Sequence, residues 1–143
     1  MPANGFSLGR DKTLVVVTKS GPIRFEGLTG FTSKKTPKTK LVHLMNGVNT
    51  PVSNRSGEWT GSFEIERRDS TVDQLFAQLE ANYFAGLNED AASITETIAE
   101  PNGTISQFRF TGVILDLDDA GNWKGDATVP IKVSFMAARR IQL

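Results

Sequence analysis

The residue types that most often do chemistry are sparse in this sequence. His43 is its only histidine, and there is no cysteine. A Ser-His-Asp relay would have to use His43, yet no Gly-x-Ser-x-Gly elbow is present to hold a nucleophile. The apolar run Leu41 to Met45 around the ring reads as a strand in which the histidine is hydrogen-bonded rather than reactive. One imidazole and no thiolate make no zinc or other transition-metal centre, which needs several N and S ligands. Asp116-Leu117-Asp118-Asp119-Ala120-Gly121 opens like a calcium loop. Its later ligand positions fall on Ala120 and Ala127, which have no side-chain oxygen, so an acidic turn is the plainer reading. Glu64 and Glu66 share the spacing of paired acid–base carboxylates, but on an outward strand face they are solvated surface. Neither a Gly-x-x-x-x-Gly-Lys loop nor a Gly-x-Gly-x-x-Gly after a strand occurs. The sequence predicts no catalytic residue, no metal, no cofactor and no enzyme.

The elements that would position such residues are mostly strands. At 143 residues the chain fits one domain, 1–143, long enough to fold without disulfide or metal. Leu14 to Thr18 is a continuous β-branched run, which predicts a strand buried on both faces. Ile23 and Phe25, with Phe31 as a further candidate, mark a second strand after the Gly21-Pro22 turn. Trp59, Gly61, Phe63 and Ile65 alternate with Thr60, Ser62, Glu64 and Glu66, the signature of a half-buried strand. Ile94 and Ile98 share a face opposite Thr95 and Thr97. Pro101-Asn102-Gly103 predicts a hairpin with a type I′ turn. Beyond it Phe108 and Phe110 share one face and Val113, Leu115 and Leu117 the other, so the phase changes near Gly112. Either a bulge or a strand crossing between two sheets would do this. Asp119 to Asn122 turns the chain back, and alternation resumes over Ala127, Val129, Ile131, Val133 and Phe135. Pro130 points away from that face and suits a sheet edge.

One segment has helical period. Val72, Leu75, Phe76, Leu79 and Tyr83 form a single apolar stripe, the expected core face of a helix covering the end of a β structure. Ser70 is placed to cap it, with Asp73 completing a capping box, and Gly86 is a natural stop.

Residues 1–10 are weakly patterned and are expected to extend from the domain. Residues 32–40 contain four lysines and no apolar residue between apolar flanks. Two readings stand: a solvated loop, or a long hairpin arm at about 30–45 reaching a neighbouring subunit. Net charge is zero but segregated: nine Lys or Arg against three Asp or Glu over residues 1–60, and four against thirteen over 61–130. The segregation either cancels as strands interleave or leaves opposite faces that attract head to tail into rings or filaments. A neutral total argues against a dedicated nucleic-acid binder. No run approaches the roughly 18 apolar residues of a membrane span, and the first dozen residues lack a signal-peptide core. A soluble intracellular product, not inserted in a membrane, is expected.

The string Gly57 to Arg67, followed by Asp69-Ser70, Asp73 and an amphipathic helix ending Tyr83-Phe84-Ala85-Gly86, resembles bacteriophage tail tube proteins. So do Ile94 to Ile98, Pro101 to Phe110, Leu117 to Asp126 and the closing Phe135-Met136-Ala137-Ala138-Arg139-Arg140. The resemblance covers residues 57–143 and extends only loosely over the first half. It implies a mainly β fold, two packed antiparallel sheets forming a β-sandwich or barrel with one flanking α-helix. It further implies a homo-oligomer: hexameric rings stacked through loops, termini and a long hairpin into a tube that conducts DNA during ejection. Sheath, tape-measure, baseplate and tail terminator proteins are the expected partners, in a virion tail of contractile type assembled in the host cytoplasm. The related haemolysin-coregulated protein of type VI secretion makes similar rings and is the alternative. Inter-subunit contacts are expected at Lys34, Lys35, Pro37, Lys38 and Lys40 of the arm and at Arg139 and Arg140.

Overall fold

Alternating segments become strands that each bury one side. In a computed structural model the described residues are 12–19, 21–25, 28–55 and 57–143; the extended segment expected at 1–10 lies outside them. The order is β1 (Lys12–Thr18), β2 (Gly21–Arg24), β3 (Leu28–Lys35), β4 (Lys38–His43), β5 (Asn49–Asn54), β6 (Trp59–Glu66), α1 (Thr71–Phe84), β7 (Ala92–Ala99), β8 (Ile105–Asp119), β9 (Pro130–Ala137) and β10 (Arg139–Gln142). One antiparallel layer runs β2-β1-β7-β8, with β10 on the other side of β8; the second runs β8-β9-β6-β3. The fold is therefore mainly β, two antiparallel layers with a single helix.

The layers share β8. Its first half pairs with β7 from Ala99↔Ile105 to Ile94↔Phe110, and its second half with β9 from Ile114↔Met136 onward. Between them Gly112 takes φ +63°, and the β7 register slips between Ile94 and Ala92. Both readings of the phase change hold at once: a bulge there swaps which side chains face inward as the strand passes from one layer to the other.

Inward-facing Leu14, Val16, Phe63, Ile65, Ile94, Phe110, Val113, Ile131, Val133 and Phe135 form the core. Each large side chain so buried stabilises the fold by about 1.5–3 kcal/mol. Phe110 and Phe135 meet edge to face at 5.4 Å between ring centroids, and Phe31 stacks on Phe135 at 5.8 Å. Gly61 makes room for this cluster, since a Cβ there would lie 2.7 Å from Phe135 Cζ and collide with the Thr32 carbonyl oxygen.

Several local expectations need correction. The outer side of β1 faces solvent, with Val17 40% exposed, because an antiparallel layer need be covered on one face only. Phe31 belongs to β3, not to the second strand. β9 starts at Pro130 rather than Ala127, and Pro130 sits in an interior strand; as its first residue it leaves no ladder bond unmade. The turn after β7 is not type I′. Gly103 N donates to Glu100 O at 3.0 Å, so Pro101 and Asn102 are the central residues, and the proline ring excludes positive φ. Gly103 follows at φ +87°, giving a three-residue loop with a glycine bulge. Leu44 to Val48 closes the β4–β5 hairpin in the same way: Gly47 N donates to Leu44 O at 3.0 Å, and Asn46 Oδ1 accepts from Val48 N at 3.0 Å, as Asn102 Oδ1 accepts from Thr104 N at 3.1 Å.

Helix α1 also starts differently from expectation. Ser70 makes no side-chain capping bond; Asp69 Oδ1 accepts from Thr71 N at 3.0 Å. Asp73 is drawn away from the capping box by Arg67, whose Nε and Nη2 donate to it at 3.1 and 3.0 Å. The stop is a Schellman motif, with Gly86 at φ +77°, Gly86 N on Tyr83 O and Leu87 N on Asn82 O. Only Val72 of the stripe is buried. Leu75 and Phe76 are half-buried against the core, Leu79 is half-buried, and Tyr83 is 75% exposed. The stripe drifts off the barrel because its last turn overhangs the layer that its first turn covers.

Candidate functional site

The residues searched for chemistry are placed apart. His43 lies exposed on β4 with Nδ1 2.8 Å from Asn49 Oδ1, a cross-strand bond inside the hairpin. Asp119 Oδ1 accepts from Gly121 N at 3.0 Å and Asp118 Oδ1 from Ser134 Oγ at 2.9 Å, so the acidic segment is spent on shaping a turn and its neighbour strand. Glu64 stands opposite Lys132 on the outward face. Among the described residues no group of three His, Cys, Asp or Glu side chains is gathered to hold a metal ion, and no helix is long and apolar enough to cross a membrane.

What the fold does gather is exposed surface. β4 and β5 pair over six rungs, from Lys38↔Asn54 to His43↔Asn49. Every residue of the two strands is exposed except the half-buried Val42, and neither strand packs substantially on another element. At the tip Leu44, Met45 and Val48 are exposed, Met45 completely. The hairpin lies further along the chain than the expected 30–45: Lys34 and Lys35 belong to β3, Pro37 to the link, and Lys38 and Lys40 to β4. The lysine run is therefore strand rather than loop, with alternating polar residues taking solvent on both faces of a ribbon. At the stem Lys35 Nζ donates to Arg55 O at 2.8 Å, and Gly57 is buried where a Cβ would strike the Thr36 carbonyl.

Arg139 is exposed on β10, but Arg140, expected as an inter-subunit contact, turns inward. Its guanidinium stacks 3.7 Å from the Phe108 ring centroid and Nε donates to Glu96 Oε1 at 2.9 Å, with Nη2 also on that oxygen. Glu96 is 0% exposed. Its Oε2 has no aligned hydrogen bond but lies 2.7 Å from Lys12 Nζ, which rests over the Phe31 ring. The Lys12–Glu96–Arg140 chain thus ties β1, β7 and β10 together. The signal for it was in the sequence: Glu96 sits midway between Ile94 and Ile98 on the apolar face, where a carboxylate needs cations.

A groove of about 670 Å³ opens between the overhanging end of α1 and the first layer. Leu75, Leu79, Ile23, Val113 and Leu115 line it, and Glu89, Asp90 and Lys19 stand at its margin, Asp90 paired with Lys19 at 3.0 Å. Tyr83, Phe84 and Leu87 are exposed around its mouth.

This architecture has solved relatives. A chain in the PVC sheath–tube complex of an extracellular contractile injection system in its extended state superposes with TM-score 0.62 at 13% identity, over 92% of this chain and 88% of that one. A chain in the tube-terminating cap of the anti-feeding prophage gives TM-score 0.63 at 10% identity, over 100% and 94%. The chain has the tail-tube fold. A chain in the tail of an empty gene transfer agent particle, refined with helical C6 symmetry, shares it at TM-score 0.57 and 14% identity, over 96% and 99%. By sequence, no family model and no curated protein matches.

Proposed function

We infer that this chain is a structural subunit, not an enzyme, that polymerises with itself into a tube: six copies to a ring, rings stacked along the axis, as the core of a contractile tail. The observation that carries this reading is the arm. Two strands with no third partner are marginal in water, and this ribbon offers its own chain almost nothing to pack on. Its partner is another molecule.

Two further features agree. Among the described residues β2, β3 and β10 each pair on one side only, and open edges are what monomers suppress and polymers use. The outward face of the second layer carries Thr60, Ser62 and Glu64 from β6 beside Ser134 and Lys132 from β9 and Asp116 from β8. That face suits the wall of a wet channel. DNA moves along such a wall with little adhesion, because binding to phosphates depends on releasing counterions with many cations. A sheath, a terminator, a tape-measure protein and a baseplate are the partners that the tail reading supplies, and a virion tail assembled in the host cytoplasm is the place.

Negative-stain electron microscopy with light scattering tests the reading. Rings or tubes with sixfold symmetry are expected as concentration rises; a monodisperse monomer throughout would sink it. The likeness to chains from extracellular contractile injection systems favours a second reading, the tube of an injection system rather than of a DNA-ejecting tail, of which the type VI kind is another version. Nuclease-protected DNA in native particles separates the two.

A further inference from the structure

We propose that the apolar tip of the β4–β5 arm docks into the groove beside α1 of a second copy of this chain, with the lysines of the arm set against the acidic margin of the groove. The proposal rests on the tube reading and names the site within it that receives the arm. Leu44, Met45 and Val48 form an exposed apolar tip, with Met45 wholly uncovered by the described residues, and the groove, at about 670 Å³, has room for them. Six rungs at about 3.4 Å per residue carry that tip roughly 20 Å out from the stem, enough to reach a neighbour.

Charge picks the partner. From residue 28 to 57 the chain holds Lys34, Lys35, Lys38, Lys40 and Arg55 and not one acid. From residue 69 to 108, which builds the helix, the groove margin and β7, it holds seven acids and no Lys or Arg. Of these Asp73 and Glu96 are committed to internal cations and Asp90 pairs with Lys19 at 3.0 Å, whereas Glu89 is exposed on the groove margin. A basic stem with an apolar tip matches an apolar groove with an acidic margin, and the same copy presents one of each. Such contacts join tip to groove from copy to copy, the heterologous kind of interface that builds rings or filaments, and opposite charges fix register as well as speed encounter.

The absence of cysteine gives a clean test. Full-length Met45→Cys carrying an affinity tag is mixed with untagged Leu87→Cys under assembling conditions, oxidised mildly, and the mixed disulfide dimer is quantified by mass. Both positions are exposed, so both variants keep the fold. The expected yield exceeds that with Trp123→Cys, an exposed position on the β8–β9 loop, by about tenfold or more, because docked thiols meet at raised effective concentration. Lys38→Glu with Lys40→Glu should abolish stacking, and Glu89→Lys should restore it. Rings or tubes that assemble while position 87 stays free, or that cross-link 45 to 123 as readily, overturn the docking and leave the tube reading standing. No assembly by wild type overturns both.

Discussion

Glu96 on β7 and Arg140 on β10 are 44 residues apart in sequence, yet Arg140 Nε donates to the buried Glu96 Oε1 at 2.9 Å. The carboxylate has no access to water, while Arg140 and Lys12 are 24% and 25% exposed at their side chains. Removing the arginine leaves a buried charge with one cation, and breaking a buried pair costs about 3–5 kcal/mol. Arg140→Leu is expected at the lower end, about 3 kcal/mol by urea denaturation. Glu96→Leu combined with Arg140→Leu should cost less than the two changes summed, since the second removes the charge that the first strands. A loss below about 1 kcal/mol for Arg140→Leu would show that Lys12 alone satisfies the carboxylate.

Gly61→Ala should destabilise the second layer although it adds a single methyl. That methyl meets the Phe135 ring and the Thr32 carbonyl of the adjoining strand, and the carbonyl, being backbone, cannot withdraw without opening the β3–β6 ladder. Overpacking of this kind costs about 1–3 kcal/mol. Thermal melting monitored by near-ultraviolet circular dichroism checks it, and an unchanged melting temperature would place the ring elsewhere.

Along α1 truncation should matter over the first two turns and cease to matter at the last. Val72→Ala removes two buried methyl groups at about 0.8 kcal/mol each. Leu75→Ala and Phe76→Ala, at half-buried positions, should cost about 1–2 kcal/mol each, less than the 2–5 of a fully buried site. Tyr83→Ala should change stability by under about 0.5 kcal/mol, since its ring is largely in solvent. Equal losses at all four positions, read from denaturant midpoints, would mean that the helix end is covered.

At the helix start Thr71, through its hydroxyl and its N–H, holds the Asp69 carboxyl below its ordinary 3.8. A depressed folded value means that the charged form stabilises the native state. The contribution is complete above pH 3.8 and is lost as pH falls through the lower folded value. The melting-temperature difference between wild type and Asp69→Asn should therefore hold steady above that range and shrink below it. A difference that persists into strong acid would show that charge is not what Asp69 contributes.

Excising Lys38–Asn54 and closing the gap with a short Gly-Ser turn should leave the two layers intact and, on the tube proposal, stop polymer growth. A cut at 33–40, the lysine run that the sequence points to, would instead take out the β3–β6 rungs at Ser33, Lys34 and Lys35 and damage the fold itself. Filaments of normal length from the 38–54 excision, seen by electron microscopy, would remove the arm from the assembly account.

Much of the fold was legible where one physical signal dominated. β6 and β7 showed in strict alternation, α1 in its stripe, and the shared strand in the phase change at Gly112, because one buried face imposes period two on a strand and 3.6 on a helix. The errors arose where tertiary context competed. Arg67 took Asp73 from the cap, and the Schellman turn ended the helix with Tyr83 past the edge of its support. A lysine-rich run became strand because a ribbon exposed on both faces needs no apolar side. The arm was half visible: the lysine run left a solvated loop and a hairpin arm both open, and the apolar tip depended on reading Asn46-Gly47 as a turn. Arg140 could not be told from a surface arginine without knowing that Glu96 lies buried across from it.

Because β8 belongs to both layers, neither can detach while the other stays whole. Freeing β9 from residues 114–119 or β7 from residues 105–113 loosens the same backbone. Amide hydrogens on both sides of Gly112 should thus exchange together, in one global opening, so that the pulled chain yields all at once rather than peeling layer by layer.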